Sequence, residues 1–145
     1  MTVNTILEKR DRHPITCRPE DTVQSAATLM STNRIGAMPV RDNDGALVGM
    51  ISERDVVGAF STHSAKIVDL LVDDLMTKSV ITCKSDTPIR EAMQTMSTNR
   101  IRHLPVFEGD QFIGVVSIGD TLAHTLEELT LEANVLRDIA ISRAG

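Results

Sequence analysis

Tryptophan and tyrosine are absent from the 145 residues and phenylalanine occurs only three times, so the core has to be built from Val, Ile, Leu and Met. Basic charge is in deficit: 15 Lys and Arg stand against 20 Asp and Glu, for a net charge of −5. That balance argues against a nucleic-acid partner, whose phosphate backbone calls for a basic footprint, although one small anion in a local basic pocket remains compatible with it. Only two cysteines occur, Cys17 and Cys83, with no CxxC pairing, and they read as buried free thiols rather than a disulfide framework or redox couple. The four histidines (His13, His63, His103, His124) form no HExxH motif or metal-ligand cluster with cysteine, so no metal site is expected. Neither G-x-S-x-G nor a phosphate-binding P-loop is present. Apolar runs stop well short of the ~18 residues a membrane span needs, and the N-terminus has no basic stretch leading into an apolar one. The expectation is a cytoplasmic protein without membrane contact.

What the chain does contain, it contains twice. Met30-Ser31-Thr32-Asn33-Arg34-Ile35 returns as Met96-Ser97-Thr98-Asn99-Arg100-Ile101, and Thr16–Val40 aligns without gaps on Thr82–Val106 with 11 of 25 positions identical. After one deletion in a turn, Gly49–Asp55 falls on Gly114–Asp120. Repeats of about 60 residues are marginal alone, so the two copies are expected to bury their apolar faces against each other, with residues 1–64 forming the first unit and 65–145 the second.

Each unit reads as strand–helix–strand–strand–helix behind a lead-in helix. In the first, the spacing predicts a lead-in over Thr2–Arg10 broken by Asp11–Pro14, a strand at Ile15–Cys17, and a helix capped by Asp21 or Thr22 and ended by Gly36. Two strands over Ala37–Arg41 and Ala46–Ser52 flank a hairpin turn, and Ser52 starts a helix through Phe60. Ser61–Lys66 reads as a polar joint and Ile67–Met76 as the second lead-in helix. Val80–Cys83, a helix with Pro88 in its first turn, strands at Arg102–Phe107 and Gln111–Ser117, and a long final helix complete the second unit. In that last helix Leu122, Leu126, Leu129, Ala133, Leu136 and Ala140 recur at 4-3-4-3-4, a seam for another helix. Its first half is expected to lie on the molecule's own core, and beyond Glu132 the partner is either that core or another subunit.

The doubled order of elements, the Arg-Ile-x-x-x-Pro-Val turn (Arg34–Val40, Arg100–Val106) and the two G-x-x-S-x-x-D signatures (Gly49–Asp55, Gly114–Asp120) resemble the CBS-domain pair, or Bateman module. The small stand-alone bacterial members are the nearest likeness. The resemblance implies an α+β fold of two tandem CBS repeats packed pseudo-symmetrically through their sheets, commonly dimerised. It also implies an adenosine-containing ligand in the cleft between repeats: AMP, ADP or ATP, or else S-adenosylmethionine or NADH, with no cofactor required. By that resemblance Ser52, Asp55, Ser117 and Asp120 would hold the ribose. A carboxylate's two acceptor oxygens suit the two donors of a vicinal diol. Thr16 with Met38-Pro39, and Thr82 with Leu104-Pro105, would form the backbone and apolar slot for adenine.

For phosphate, Arg102 and His103 stand where the first repeat has Gly36-Ala37, and Arg54 where the second has Gly119; Arg34 and Arg100 are further candidates. The two pockets are therefore expected to be unequal. Ser-x-x-Asp at a helix start is also a relative of the capping box, and both roles can coexist. The expected function is a non-enzymatic regulatory module that senses an adenine nucleotide and passes the signal through a homodimer or an unknown target protein. The alternative is a structural interaction module whose signatures are only caps. An enzyme using a Ser–His–Asp set around His103 comes third.

Overall fold

The structure, a computed structural model, describes residues 1–10 and 14–144. Asp11 to His13, where the lead-in break and one histidine were placed, lie outside the described residues. In chain order the elements are α1 (Val3–Glu8), α2 (Val23–Asn33), β1 (Ala37–Arg41), β2 (Leu47–Ser52), α3 (Glu53–His63), a 3-10 turn (Ser64–Asp69), α4 (Val72–Leu75), β3 (Cys83–Lys84), α5 (Ile89–Asn99), β4 (His103–Glu108), β5 (Gln111–Ser117) and α6 (Ile118–Ala144).

Local chemistry sets most of these boundaries. Thr22 caps α2 by accepting the Ser25 N–H at 3.1 Å, and Ser52 and Ser117 open α3 and α6. Gly36 does not end α2. That task falls to Arg34, left-handed at φ 54°, as Arg100 at φ 54° ends α5. The next N–H in each repeat, of Ile35 or Ile101, reaches back to the carbonyl of Met30 or Met96 at 3.0 Å, which closes the last turn as a C-terminal cap does. The expected first strands shrink to almost nothing. In the first repeat only Cys17 pairs with Val40, while the second forms two residues, Cys83 and Lys84, parallel to β4. The difference is one donor: Ser85 donates its N–H to Phe107 O at 2.8 Å, and its counterpart is Pro19, which has none.

β1 pairs antiparallel with β2, and β4 with β5. Alternation sends Met38, Val40 and Ile51 into one core and Leu104, Val106 and Val116 into another, all fully buried. The expected Ile67–Met76 helix is split. Leu70 and Leu71 are extended between the 3-10 turn and α4, because their backbone is recruited elsewhere.

That recruitment is an exchange of lead-in segments. Val3 donates to Thr87 O at 2.9 Å and Asn4 to Ser85 O at 3.0 Å; Val72 donates to Asp21 O at 2.8 Å and Asp73 to Pro19 O at 3.0 Å. In return Ile89 donates to Met1 O and Val23 to Leu70 O. α1 thus places Val3 and Ile6 in the second repeat's core, while α4 places Val72 in the first repeat's. A fully buried valine is worth ~1.5–3 kcal/mol, so each repeat relies on the other's lead-in.

The glycine that begins each G-x-x-S-x-x-D signature makes room for this crossing. A Cβ at Gly49 would stand 2.8 Å from Thr77 O and from Met76 Sδ, whereas one at Gly114 would meet only a Leu7 methyl at 3.2 Å. Thr77 is fixed, since it exchanges two backbone bonds with Met50. Gly49→Ala is therefore expected to cost ~1–3 kcal/mol of stability and Gly114→Ala less, as thermal melts of the two variants would show.

Candidate functional site

Two clefts run between the repeats, and each takes complementary parts from both. The larger, about 680 Å³, joins Pro14, Ile15, Arg34, Ile35, Gly36, Ala37 and Pro39 of the first repeat to Val115, Ser117 and Asp120 of the second. The smaller, about 360 Å³, reverses the contribution: Val80, Ile81, Arg100, Ile101, Arg102 and His103 face Met50, Ser52, Arg54 and Asp55. Both volumes lie in the usual range for small-molecule sites.

Both Ser-x-x-Asp signatures are capping boxes. Ser52 Oγ accepts from Asp55 N at 3.2 Å, while Asp55 Oδ2 accepts from Ser52 N at 2.8 Å. Ser117 Oγ and Asp120 N stand 3.1 Å apart, and Asp120 Oδ2 accepts from Ser117 N at 2.8 Å. Among the described residues, Asp55 Oδ1 accepts no hydrogen bond and is available on the rim of the smaller cleft. The two carboxylates then part ways. Asp120 is ion-paired through Oδ2 with Arg10, whose guanidinium also donates to Val115 O at 3.0 Å, so the carboxylate of the larger cleft carries a counter-charge that Asp55 lacks among the described residues.

The cations of the two clefts differ in how they are engaged. Arg54, Arg100, Arg102 and His103 all line the smaller cleft, with three arginines against the carboxylates of Glu53 and Asp55. The left-handed turns at Arg34 and Arg100 set one arginine on each cleft wall. Of the larger cleft's cations, Arg10 is paired as above and Arg41 donates to Gly45 O at 2.7 Å and lies 5.2 Å over the Phe112 ring. His103 borders both clefts. Burial holds its pKa below the usual histidine value, with Asp120 and Glu53 pulling up and Arg102 down, so the imidazole is neutral at pH 7.

The adenine slots need correction. Met38 and Leu104 are fully buried in the two cores and offer no side chain to either cleft, because the strand register that turns Pro39 toward the larger cleft turns Met38 away. Thr16, Thr82 and Pro105 also lie outside both clefts. The apolar walls come instead from Pro14 and Ile15 in the larger cleft, and from Val80, Ile81, Ile101 and Met50 in the smaller. The identity of Ile15 with Ile81, one position ahead of the Thr16–Val40 alignment, was the available signal. Arg10 and Glu53 had none.

Burial pushes the Cys17 thiol up to about 12, with Asp21 adding, and the Cys83 thiol up to about 11, with Glu91 adding. Both are free and protonated at neutral pH. Among the described residues no group of three His, Cys, Asp or Glu could hold a metal ion, and no helix is long and apolar enough to cross a membrane.

Comparisons with known proteins bear on the family and the fold. The CBS domain family model matches residues 7–62 and 72–127. A mitochondrial CBS domain-containing protein of Arabidopsis thaliana, CBSX3, is 36% identical over 119 residues, covering 77% of this chain; the chain spans only 56% of that relative's length. The crystal structure of the CBS-domain protein ATU1752 of Agrobacterium tumefaciens superposes with a TM-score of 0.81 at 33% identity, covering 84% of this chain and 91% of that one. The CBS domain pair of protein MJ0100, solved with 5'-methylthioadenosine and S-adenosyl-L-methionine, gives 0.78 at 25% identity, covering 88% and 98%.

Proposed function

This chain belongs to the CBS-domain family, and from that premise we propose that it is a regulatory module that binds an adenine nucleotide of the AMP, ADP or ATP kind in the smaller cleft. The observation that carries the reading is the gathering, on one cleft between two repeats, of a carboxylate with an unused oxygen at Asp55 and the cations Arg54, Arg100, Arg102 and His103. Asp55 would take the ribose diol, the apolar wall of Val80, Ile81, Ile101 and Met50 the base, and the Arg102-His103 turn the phosphate. The larger cleft is the weaker binder, since Arg10 already neutralises the Asp120 carboxylate. A signal would leave through a homodimer or a target protein, in so far as the ligand favours one arrangement of the repeats.

A second reading, a structural interaction module, is favoured by the completeness of both capping boxes, which explain the signatures without any ligand. Calorimetric titration of the nucleotide-free protein with AMP, ADP, ATP, NADH and S-adenosylmethionine separates the two. Saturable binding by one ligand, lowered about tenfold or more in Asp55→Asn, supports the nucleotide reading. Asparagine still caps through its amide oxygen but sets a donor against the diol. Flat titrations from folded protein would favour the interaction module.

The protonation of His103 adds a pH dependence of determinate sign. A phosphate group beside a neutral imidazole raises its pKa, so His103 takes up a proton on binding and its contribution to affinity grows as the pH falls through the bound-state value. Without ligand the effect on stability runs the other way. The unfolded chain protonates His103 first, so its contribution to stability falls as the pH drops below about 6.5. Titrations in buffers of different ionisation enthalpy should show proton uptake in the wild type and none assignable to this site in His103→Gln.

A further inference from the structure

α6 leaves the body of the molecule early. Its buried residues are Thr121 and His124, and every described position from Leu126 to Ala144 is exposed. At 1.5 Å per residue these 19 positions project about 28 Å. The seam read from the sequence does not lie on the molecule's own core. Leu122, Leu126, Leu129 and Leu136 are 47%, 63%, 56% and 65% exposed. A lone helix of this length is marginal in water, so its apolar seam needs a cover.

We infer that the projecting part of α6 forms a parallel two-stranded coiled coil with a second copy of this chain. The 4-3 spacing keeps one seam facing a partner when helices wind at 3.5 residues per turn, with Leu122, Leu129 and Leu136 at d and Leu126, Ala133 and Ala140 at a. Leucine at d suits a parallel pair, and alanine at a lets the helices approach. Charge fixes the orientation. Glu132 falls at g and Arg137 at e, the two flanking positions that meet across a parallel pair. They are five residues apart on their own helix, and neither makes an ion pair among the described residues. In a parallel dimer Glu132 of each copy meets Arg137 of the other, twice by symmetry. An antiparallel pair in the same seam would set g beside g and e beside e, so Glu132 and Arg137 would no longer meet. Ile139, at the second g position, widens the seam; Leu131 and Val135 lie off it.

The pairing is independent of whether a nucleotide binds. Sedimentation equilibrium on the full chain tests it, with Glu132→Arg, Arg137→Glu and the double variant; these exposed sites leave the fold intact, which circular dichroism checks. The expected result is a dimer whose dissociation constant rises about tenfold or more in each single variant and returns to within about threefold in the double one. Ala133→Cys should give a covalent dimer on mild oxidation, since a positions face each other only in the parallel arrangement. A monomeric chain, a dimer indifferent to the single reversals, or a double variant as weak as the singles would overturn the inference. A monomer that associates through α6 only with a different protein would do so as well.

Discussion

Arg102→Ala is expected to weaken AMP binding about ten- to a hundredfold while leaving the affinity for adenosine within about a factor of two. A hydrogen bond to a charged group is worth ~1.5–3 kcal/mol, and Arg102 lies on the cationic turn of the smaller cleft, opposite Ser52 and Asp55. Its counterpart Gly36 carries no side chain, which is why the repeats are not interchangeable. Arg34→Ala, on the larger cleft, should change AMP affinity little. The measurement is a pair of calorimetric titrations, AMP against adenosine, on the two variants. Equal losses for both ligands in Arg102→Ala would mean that the side chain shapes the cleft rather than holding phosphate.

Leu104→Ala is expected to cost ~3–5 kcal/mol of stability, on the order of 10 °C in melting temperature for a domain of this size, with nucleotide affinity unchanged wherever the variant is folded. Leu104 is fully buried among Val106, Val116, Met96 and the exchanged Ile6, and removing its three outer carbons leaves a cavity that a sheet cannot close over. The corresponding truncation at Met38 should behave alike. Chemical denaturation gives the stability, and titration below the midpoint gives the affinity. A loss of affinity without a loss of stability would return Leu104 to the adenine wall.

The pairing of Leu104 with stability and Arg102 with binding shows what a one-dimensional reading could reach. Hairpin turns, caps and strand faces are local, and Thr22, Ser52 and Ser117 announced their helices by side-chain chemistry alone. One difference between the clefts could be read too, because it rests on residue identity at an aligned position, Arg102 of the smaller cleft against Gly36. What escaped was contact between distant segments. Nothing about Arg10 distinguishes it in sequence from any arginine at a helix end, yet it reaches Asp120, 110 positions on. Leu70 and Leu71 have good helical spacing, and only the bonds on either side of them, Val23 N–H to the Leu70 carbonyl and Val72 N–H to the Asp21 carbonyl, hold them extended. Met38 was misplaced for a subtler reason: a motif names neighbours, but alternate strand residues face opposite ways, so Met38 and Pro39 could not both line one slot.

The exchange of lead-in segments bears on how the chain is made. α1 is synthesised ahead of the first repeat, but its backbone acceptors, Ser85 and Thr87, and the core around Leu104 follow some eighty residues or more later. The first repeat, by contrast, can close as soon as Val72 is out. The nascent chain therefore carries a completed half with Val3 and Ile6 hanging unpaired beside it, a sticky apolar tag that waits for the second half. Contacts of such long sequence separation slow folding, and a translational pause near residue 80 would lengthen the interval in which that tag can be captured by a neighbouring chain or a chaperone.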